Sequence, residues 1–243
     1  MEKIKILHYP TEQEPFVVVD KPSGLPSAPL TYDDGNNVVH LISRHFPAVL
    51  RVNGRKEIEK GLFHRLDTKT SGLLLLCTTQ KFYDHLLEKQ NQGLFEKEYT
   101  AFCNVQNTND VLQGFPLKPF EQISFGKEFC VTSFFRKFGE NGSAVRPVTI
   151  CSGKAALRKM GKSKEYSTFI TMEKCCEKIV SKCRIHQGFR HQVRCHLSWC
   201  GFPVEGDFLY NVNAKEGDSF SFFATSLDFP LENGQKFHIE KEI

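Results

Sequence analysis

Phe63-His64-Arg65-Leu66-Asp67-Thr68-Lys69-Thr70-Ser71-Gly72 runs without a break into Leu73-Leu74-Leu75-Leu76-Cys77. The apolar tail has the length and character of a strand buried on both faces of a sheet. The head places one acid between two basic residues, ahead of a turn that Ser71 and Gly72 can shape. Asp67 is therefore expected at the mouth of a core strand. A carboxylate there loses water unless something pairs with it. An acid fixed on a rigid element at a core edge is also a common way to build a site. From the residues alone two readings stay open: Asp67 bonds its own turn backbone, or it is presented to a substrate.

Working outward, residues 3–8 alternate like a strand, and Phe16-Val17-Val18-Val19-Asp20 reads as a more buried one, stopped by Lys21-Pro22-Ser23-Gly24-Leu25-Pro26. Val38, Val39, Leu41, Ile42 and Phe46 suggest a short amphipathic helix. Residues 51–60 are polar and basic and read as a solvated loop. Thr79 has the character of an N-cap for a helix to about Gln90, with Phe82, Leu86 and Leu87 inward and Gly93 as its stop. Phe95 to Phe102 alternates as a strand. Residues 106–128 read as irregular. Phe129 to Phe138 reads as a strand, closed by a turn at Gly139-Glu140-Asn141-Gly142.

Lys154, Arg158, Lys159, Lys162 and Lys164 follow without an intervening acid, the densest basic segment of the chain. It is either an RNA-backbone contact or a surface loop. Lys164 to Lys174 and Lys178 to His186 read as a hairpin around Cys175-Cys176-Glu177. A helix is expected from Phe189 to Cys200, closed by Gly201. Val193, Leu197 and Cys200 share one face of it, with Arg190 and Arg194 on a neighbouring face.

The string His-Arg-Leu-Asp-x-x-Thr-Ser-Gly with its leucines resembles the central motif of the RluA-type pseudouridine synthases. Other segments carry the same resemblance. Asp20-Lys21-Pro22-Ser23-Gly24-Leu25-Pro26 is similar to the family's first motif, and Lys97-Glu98-Tyr99-Thr100-Ala101 to its second. Gly188 to Leu197 is similar to the third, departing from the usual Arg-Thr at Phe189 and Arg190. Gly201 to Tyr210, with Gly206-Asp207, and the closing Phe223 to Pro230 fit as well. The likeness spans nearly the whole chain, least surely its middle third.

The resemblance implies an α+β pseudouridine synthase fold, a central mixed, mostly antiparallel sheet flanked by short helices. It implies isomerisation of uridine to pseudouridine within structured RNA, ribosomal or transfer. It makes Asp67 the catalytic carboxylate and Arg194 the cation paired with it. Tyr99 stacks on the uracil, and Val193 packs against the base. Arg65, two residues before Asp67, is a wedge or phosphate clamp for the extruded nucleotide, or else a surface ion pair. Lys21 braces the floor of the site and receives no chemistry. The alternative is a non-catalytic RNA-binding or chaperone module on the same fold. A glycoside hydrolase usually needs a second acid, and no partner acid stands in an equivalent motif.

The totals are compatible with this. The chain has 243 residues, 40% hydrophobic and 25% charged, with a net charge of +4. RNA affinity depends on local clusters, so that modest charge neither argues for RNA nor against it. No Gly-x-Gly-x-x-Gly string and no phosphate-binding loop appears, and the reaction needs no cofactor. Nine cysteines without a Cys-x-x-Cys pair read as reduced thiols of a cytoplasmic protein. Cys183, His186, His191, Cys195, His196 and Cys200 fit no usual zinc spacing. No apolar run reaches a membrane span and no signal peptide is visible. Residues 1–243 are expected to form a single catalytic domain without a separate N-terminal RNA-binding domain, and a monomer.

Overall fold

The structure is a computed structural model that describes residues 4–31, 34–106, 112–160, 164–215 and 217–243. Lys3 of the first expected strand, part of the 106–128 stretch and Lys162 of the basic segment lie outside the described residues. In chain order the elements are β1 (Lys5–His8), β2 (Phe16–Lys21), α1 (Val38–Ser43), β3 (Ser71–Cys77), α2 (Gln80–Asn91), β4 (Glu96–Cys103), β5 (Glu128–Phe138), β6 (Ala144–Val148), α3 (Lys154–Arg158), β7 (Tyr166–Cys175), β8 (Lys178–Ile185), α4 (Gln192–Trp199), β9 (Phe222–Pro230) and β10 (Lys236–Glu240). The fold is α+β, with mostly antiparallel strands and few short helices, as expected. Two compact units divide it: Met1–Lys97 with Phe223–Ile243, and Glu98–Phe222.

In the first unit the strands run β1-β2-β3-β9, with β10 on β9. β2 and β3 pair antiparallel from Phe16↔Cys77 to Lys21↔Gly72. β3 and β9 are parallel, through Ser71↔Phe223 and Gly72↔Ala224. That approach requires glycine: a Cβ on Gly72 would lie 2.1 Å from the Ala224 carbonyl oxygen, and its φ is +113°. Gly72 thus belongs to the strand, and the turn before it is closed by Thr70 N donating to Asp67 O at 3.0 Å. Leu73 to Cys77 are fully buried on both faces, as the uninterrupted apolar run requires. Leu73, Leu75 and Cys77 pack with Phe16, Phe63, Phe82, Phe95 and Phe229.

Helix α2 has twelve residues, too few to hold alone in water. It is docked by Phe82, Tyr83 and Leu86 and started by the Thr79 hydroxyl, which accepts from Phe82 N at 3.4 Å. Leu87 is only half-buried. The expected solvated segment at 51–60 is exposed at Arg51, Asn53, Arg55, Lys56 and Glu57, but it holds a 3-10 turn at Glu57–Glu59, and Val52 and Glu59 are buried. Arg55 explains part of this order: its N–H donates to the Tyr83 hydroxyl at 3.1 Å.

In the second unit β4 neighbours β8, followed by β7, β5 and β6. The expected hairpin is β7–β8, closed by Cys175↔Lys178. β5 crosses to both β7 and β6, antiparallel. Helix α4 lies over this sheet with all eight residues buried. His196 stitches it down: Nδ1 meets the Thr168 hydroxyl at 2.8 Å and Nε2 the Ser133 hydroxyl at 2.9 Å. Hydroxyls can donate or accept, so they serve both nitrogens of a neutral ring. Burial holds His196 neutral, with its pKa at about 3.

The expected start of α4 at Phe189 is corrected. His191 sits at φ +56°, in the left-handed region, and the helix begins at Gln192. Arg190 is therefore off the helix, donating to the carbonyls of Gly142 and Ser143 at 2.8 and 2.6 Å. Beyond the face of Val193, Leu197 and Cys200, the other sides of α4 are buried too.

Candidate active site

The Asp67 loop is fastened on several sides within the first unit. The Ser27 hydroxyl donates to Leu66 O at 2.8 Å and accepts from Leu66 N at 3.0 Å. Gly24 N donates to Thr68 O at 2.8 Å, and the Ser23 hydroxyl donates to Lys69 O at 2.7 Å. Phe63 N bonds Leu75 O at 3.0 Å, and Leu75 N donates to His64 Nε2 at 3.3 Å. The loop before Asp67 thus rides on β3, while the Pro22–Ser27 turn clamps it from the other side.

Lys21 is the centre of that clamp. It is 0% exposed, and its Nζ donates to Pro22 O at 2.9 Å, Leu25 O at 2.7 Å and Thr68 O at 3.0 Å. Three acceptors match the three donors of an ammonium. Burial pushes its pKa down to about 8, opposed by the Asp67 carboxylate. The sequence assigned Lys21 a bracing part, and the geometry gives it one: it ties the strand end to the residue after Asp67.

Asp67 itself is half-buried, at the mouth of β3. Arg65 points outward, its side chain 57% exposed, with Nη1 2.9 Å from the buried Glu59 carboxylate. Glu59 is buried, so moving Arg65 to another anion would cost a buried carboxylate its partner.

The second unit holds the other residues singled out. Tyr99, on β4, is 7% exposed and stacks on Phe222 with centroids 5.2 Å apart and planes 10° from parallel. Val193 and Arg194 open helix α4 and are both buried. Arg194 makes a two-point bond to Asp207, Nε to Oδ2 and Nη2 to Oδ1, each 2.7 Å. Its guanidinium carbon lies 5.2 Å from the Tyr210 ring centroid and 5.1 Å from that of Phe220. Asp207, Tyr210 and Phe220 were assigned no function from sequence. Gly206-Asp207 and Tyr210 stood in a matched string, but nothing in spacing joins an acid to an arginine thirteen residues earlier.

Of the candidate zinc ligands, His196 is held by two hydroxyls, and the Cys183 thiol lies 3.3 Å from the Ser181 hydroxyl. Each of the nine cysteines is a free thiol. Among the described residues no helix is long and apolar enough to cross a membrane.

Comparison with known proteins agrees with this architecture. The family described as RNA pseudouridylate synthase matches residues 15–199. The chain is 28% identical over 210 residues to the human pseudouridylate synthase RPUSD2, covering 86% of this chain and 31% of that protein. It is 26% identical over 205 residues to the ribosomal large subunit pseudouridine synthase D of Zymomonas mobilis, covering 84% of this chain and 56% of the relative. The solved structure of human RNA pseudouridylate synthase domain containing 1 covers all of this chain and 84% of its own, with TM-score 0.65 at 16% identity, a likeness of fold. The chain spans about a third to three-fifths of the length of the curated relatives it matches. On the match over residues 15–199, the chain belongs to the RNA pseudouridylate synthase family.

Proposed function

We propose that the chain isomerises uridine to pseudouridine in structured RNA, ribosomal or transfer, with Asp67 as the catalytic carboxylate. The observation that carries this is the Asp67 loop: a half-buried acid at a strand mouth, with the carbonyl of the next residue held by a buried ammonium. A loop that only turned the chain would need no such clamp.

In the proposed reaction the bond from ribose C1′ to uracil N1 breaks, the base turns, and its C5 bonds the same ribose carbon. The C5 proton leaves and N1 ends protonated. Atoms and oxidation state are conserved, so the reading calls for no nucleotide cofactor. Charge building on the sugar is met by an ionised carboxylate, as nucleophile or base. Arg194 takes the part of the cation that keeps Asp67 ionised. Tyr99 stacks on the uracil, Val193 packs against the base and Arg65 serves as wedge or phosphate clamp for the extruded nucleotide. Water must be kept from the detached base, or hydrolysis would compete. We place this activity in the cytoplasm, in a monomer.

The test is tritium release from C5 of uridine-labelled RNA, taken from cells lacking the protein. Wild type should release tritium and form pseudouridine, while Asp67→Asn should bind RNA and release none. Free uracil as product would mean hydrolysis. RNA binding by wild type without any change in the base would leave a non-catalytic module on the same fold.

A further inference from the structure

We infer that Asp207 is the positioning residue of Arg194, fixing the direction of the guanidinium; its catalytic consequence rests on the proposed function above. A planar guanidinium has to be fixed along its edge and in its plane. Asp207 takes the edge, accepting from Nε and Nη2 at 2.7 Å each. Two parallel bonds of this kind set direction as well as strength. Tyr210 and Phe220 border the group at 5.2 and 5.1 Å and limit its tilt. With that edge occupied, Nη1 is aimed away from Asp207 by the geometry of the group itself.

Asp207 is in turn held by its own turn. Its Oδ1 accepts from Leu209 N at 3.2 Å, and its carbonyl accepts from Tyr210 N and Asn211 N at 3.1 and 2.7 Å. Gly206 makes the turn fit: at φ +70°, a Cβ there would lie 2.1 Å from the Ser219 carbonyl oxygen, next to the residue that brings Phe220. The Ser198 hydroxyl on α4 donates to Tyr210 O at 2.7 Å, tying the turn to the helix that carries Arg194. Both partners are nearly sealed from water, with side chains 8% and 1% exposed. A buried ion pair is seldom more stabilising than an apolar pair of the same size. Stability alone is therefore a weak reason to build this one, and orientation is the better one.

The experiment uses the full chain and two readouts. Nitrogen-15 spectra of wild type, with Arg194→Lys to assign the signal, should show an Arg194 Nε–H that exchanges slowly with water. Single-turnover pseudouridine formation should fall about 100-fold in Asp207→Asn, the cost of a misplacement near 1 Å, with RNA affinity unchanged. In an Arg194→Lys background the same substitution should cost nothing further, because the two residues act as one. Fast exchange of the Arg194 Nε–H in wild type would overturn the inference even if Asp207→Asn failed to fold. Independent, multiplying losses in the double variant would overturn it as well. A slowly exchanging Nε–H that is lost in Asp207→Asn supports the inference on its own. If wild type then made no pseudouridine, the proposed function would fall and the positioning would stand.

Discussion

Lys97 is a cation that the fold treats as a burden. It is 5% exposed, and its Nζ lies 5.8 Å from the Phe95 ring centroid. Burial pushes its pKa from 10.5 to about 7, and the Arg55 charge pushes the same way. His64 beside it is driven well below its ordinary value by burial and by the charges of Lys97 and Arg55. Between pH 7 and 10.5 the folded chain holds fewer protons at Lys97 than the unfolded chain does. The cost of burying it is therefore full below pH 7 and fades as pH rises towards 10.5. Lys97→Met should be more stable than wild type below pH 7, by at most about 4–5 kcal/mol. That advantage should shrink steadily towards pH 10.5. Urea unfolding across this range measures it, and a difference independent of pH would contradict the assignment. Lys21 differs in kind, because its three carbonyl acceptors repay part of its burial. Neither lysine could be read as buried from sequence, since Lys21 meets Thr68 only once the chain has travelled 47 residues. The place of Asp67 at a strand mouth was legible because the turn and the apolar strand that set it, Phe63 to Cys77, are consecutive. Asp207 was not, because its partner lies on another element.

Elements whose pattern matched their burial were legible: β3 as an apolar run, β7–β8 as a hairpin, α2 with its cap. β6 was missed because Pro147 interrupts it, and proline is tolerated there since, among the described residues, β6 ends the strand order and pairs only with β5. β10 was missed although Phe237 and Ile239 alternate, because its other residues are polar and exposed. The start of α4 was placed three residues early, because a histidine in the left-handed region gives no compositional signal. Helix α3 settles half of an open question: Lys154–Arg158 is ordered and helical, yet none of its residues is buried. Lys154, Arg158 and Lys159 therefore stand in water, where a helix with no buried face gains nothing from the core. If they meet an RNA backbone, replacing all three by glutamine should weaken RNA binding. It should also flatten the dependence of log affinity on log salt by about 2, for three single-strand phosphate contacts. Thermal stability and the rate at saturating RNA should stay as in wild type. Titrations at several salt concentrations decide it, and an unchanged slope would mean α3 serves only as a solvated surface.

At the scale of the whole molecule, the two units are joined in an informative way. The chain passes from one to the other between Lys97 and Glu98, and back between Phe222 and Phe223. Both crossings fall inside strands, β4 and β9. Independent domains usually meet at exposed linkers rich in proline, glycine or polar residues. Strands that run through a boundary transmit a local loss of order to both sides, so we expect one cooperative transition. The chain supplies its own reporters. Trp199 is its only tryptophan; it is buried in the second unit, with its indole N–H donating to Leu117 O at 2.8 Å. Cys77 is a fully buried thiol in the first. Tryptophan fluorescence and the reactivity of Cys77 should give the same urea midpoint. Leu75→Ala, in the first unit's core, should cost about 2–5 kcal/mol and move both midpoints equally. A shift seen by Cys77 but not by Trp199 would mean that the units fold separately, and that residues 1–243 form two domains.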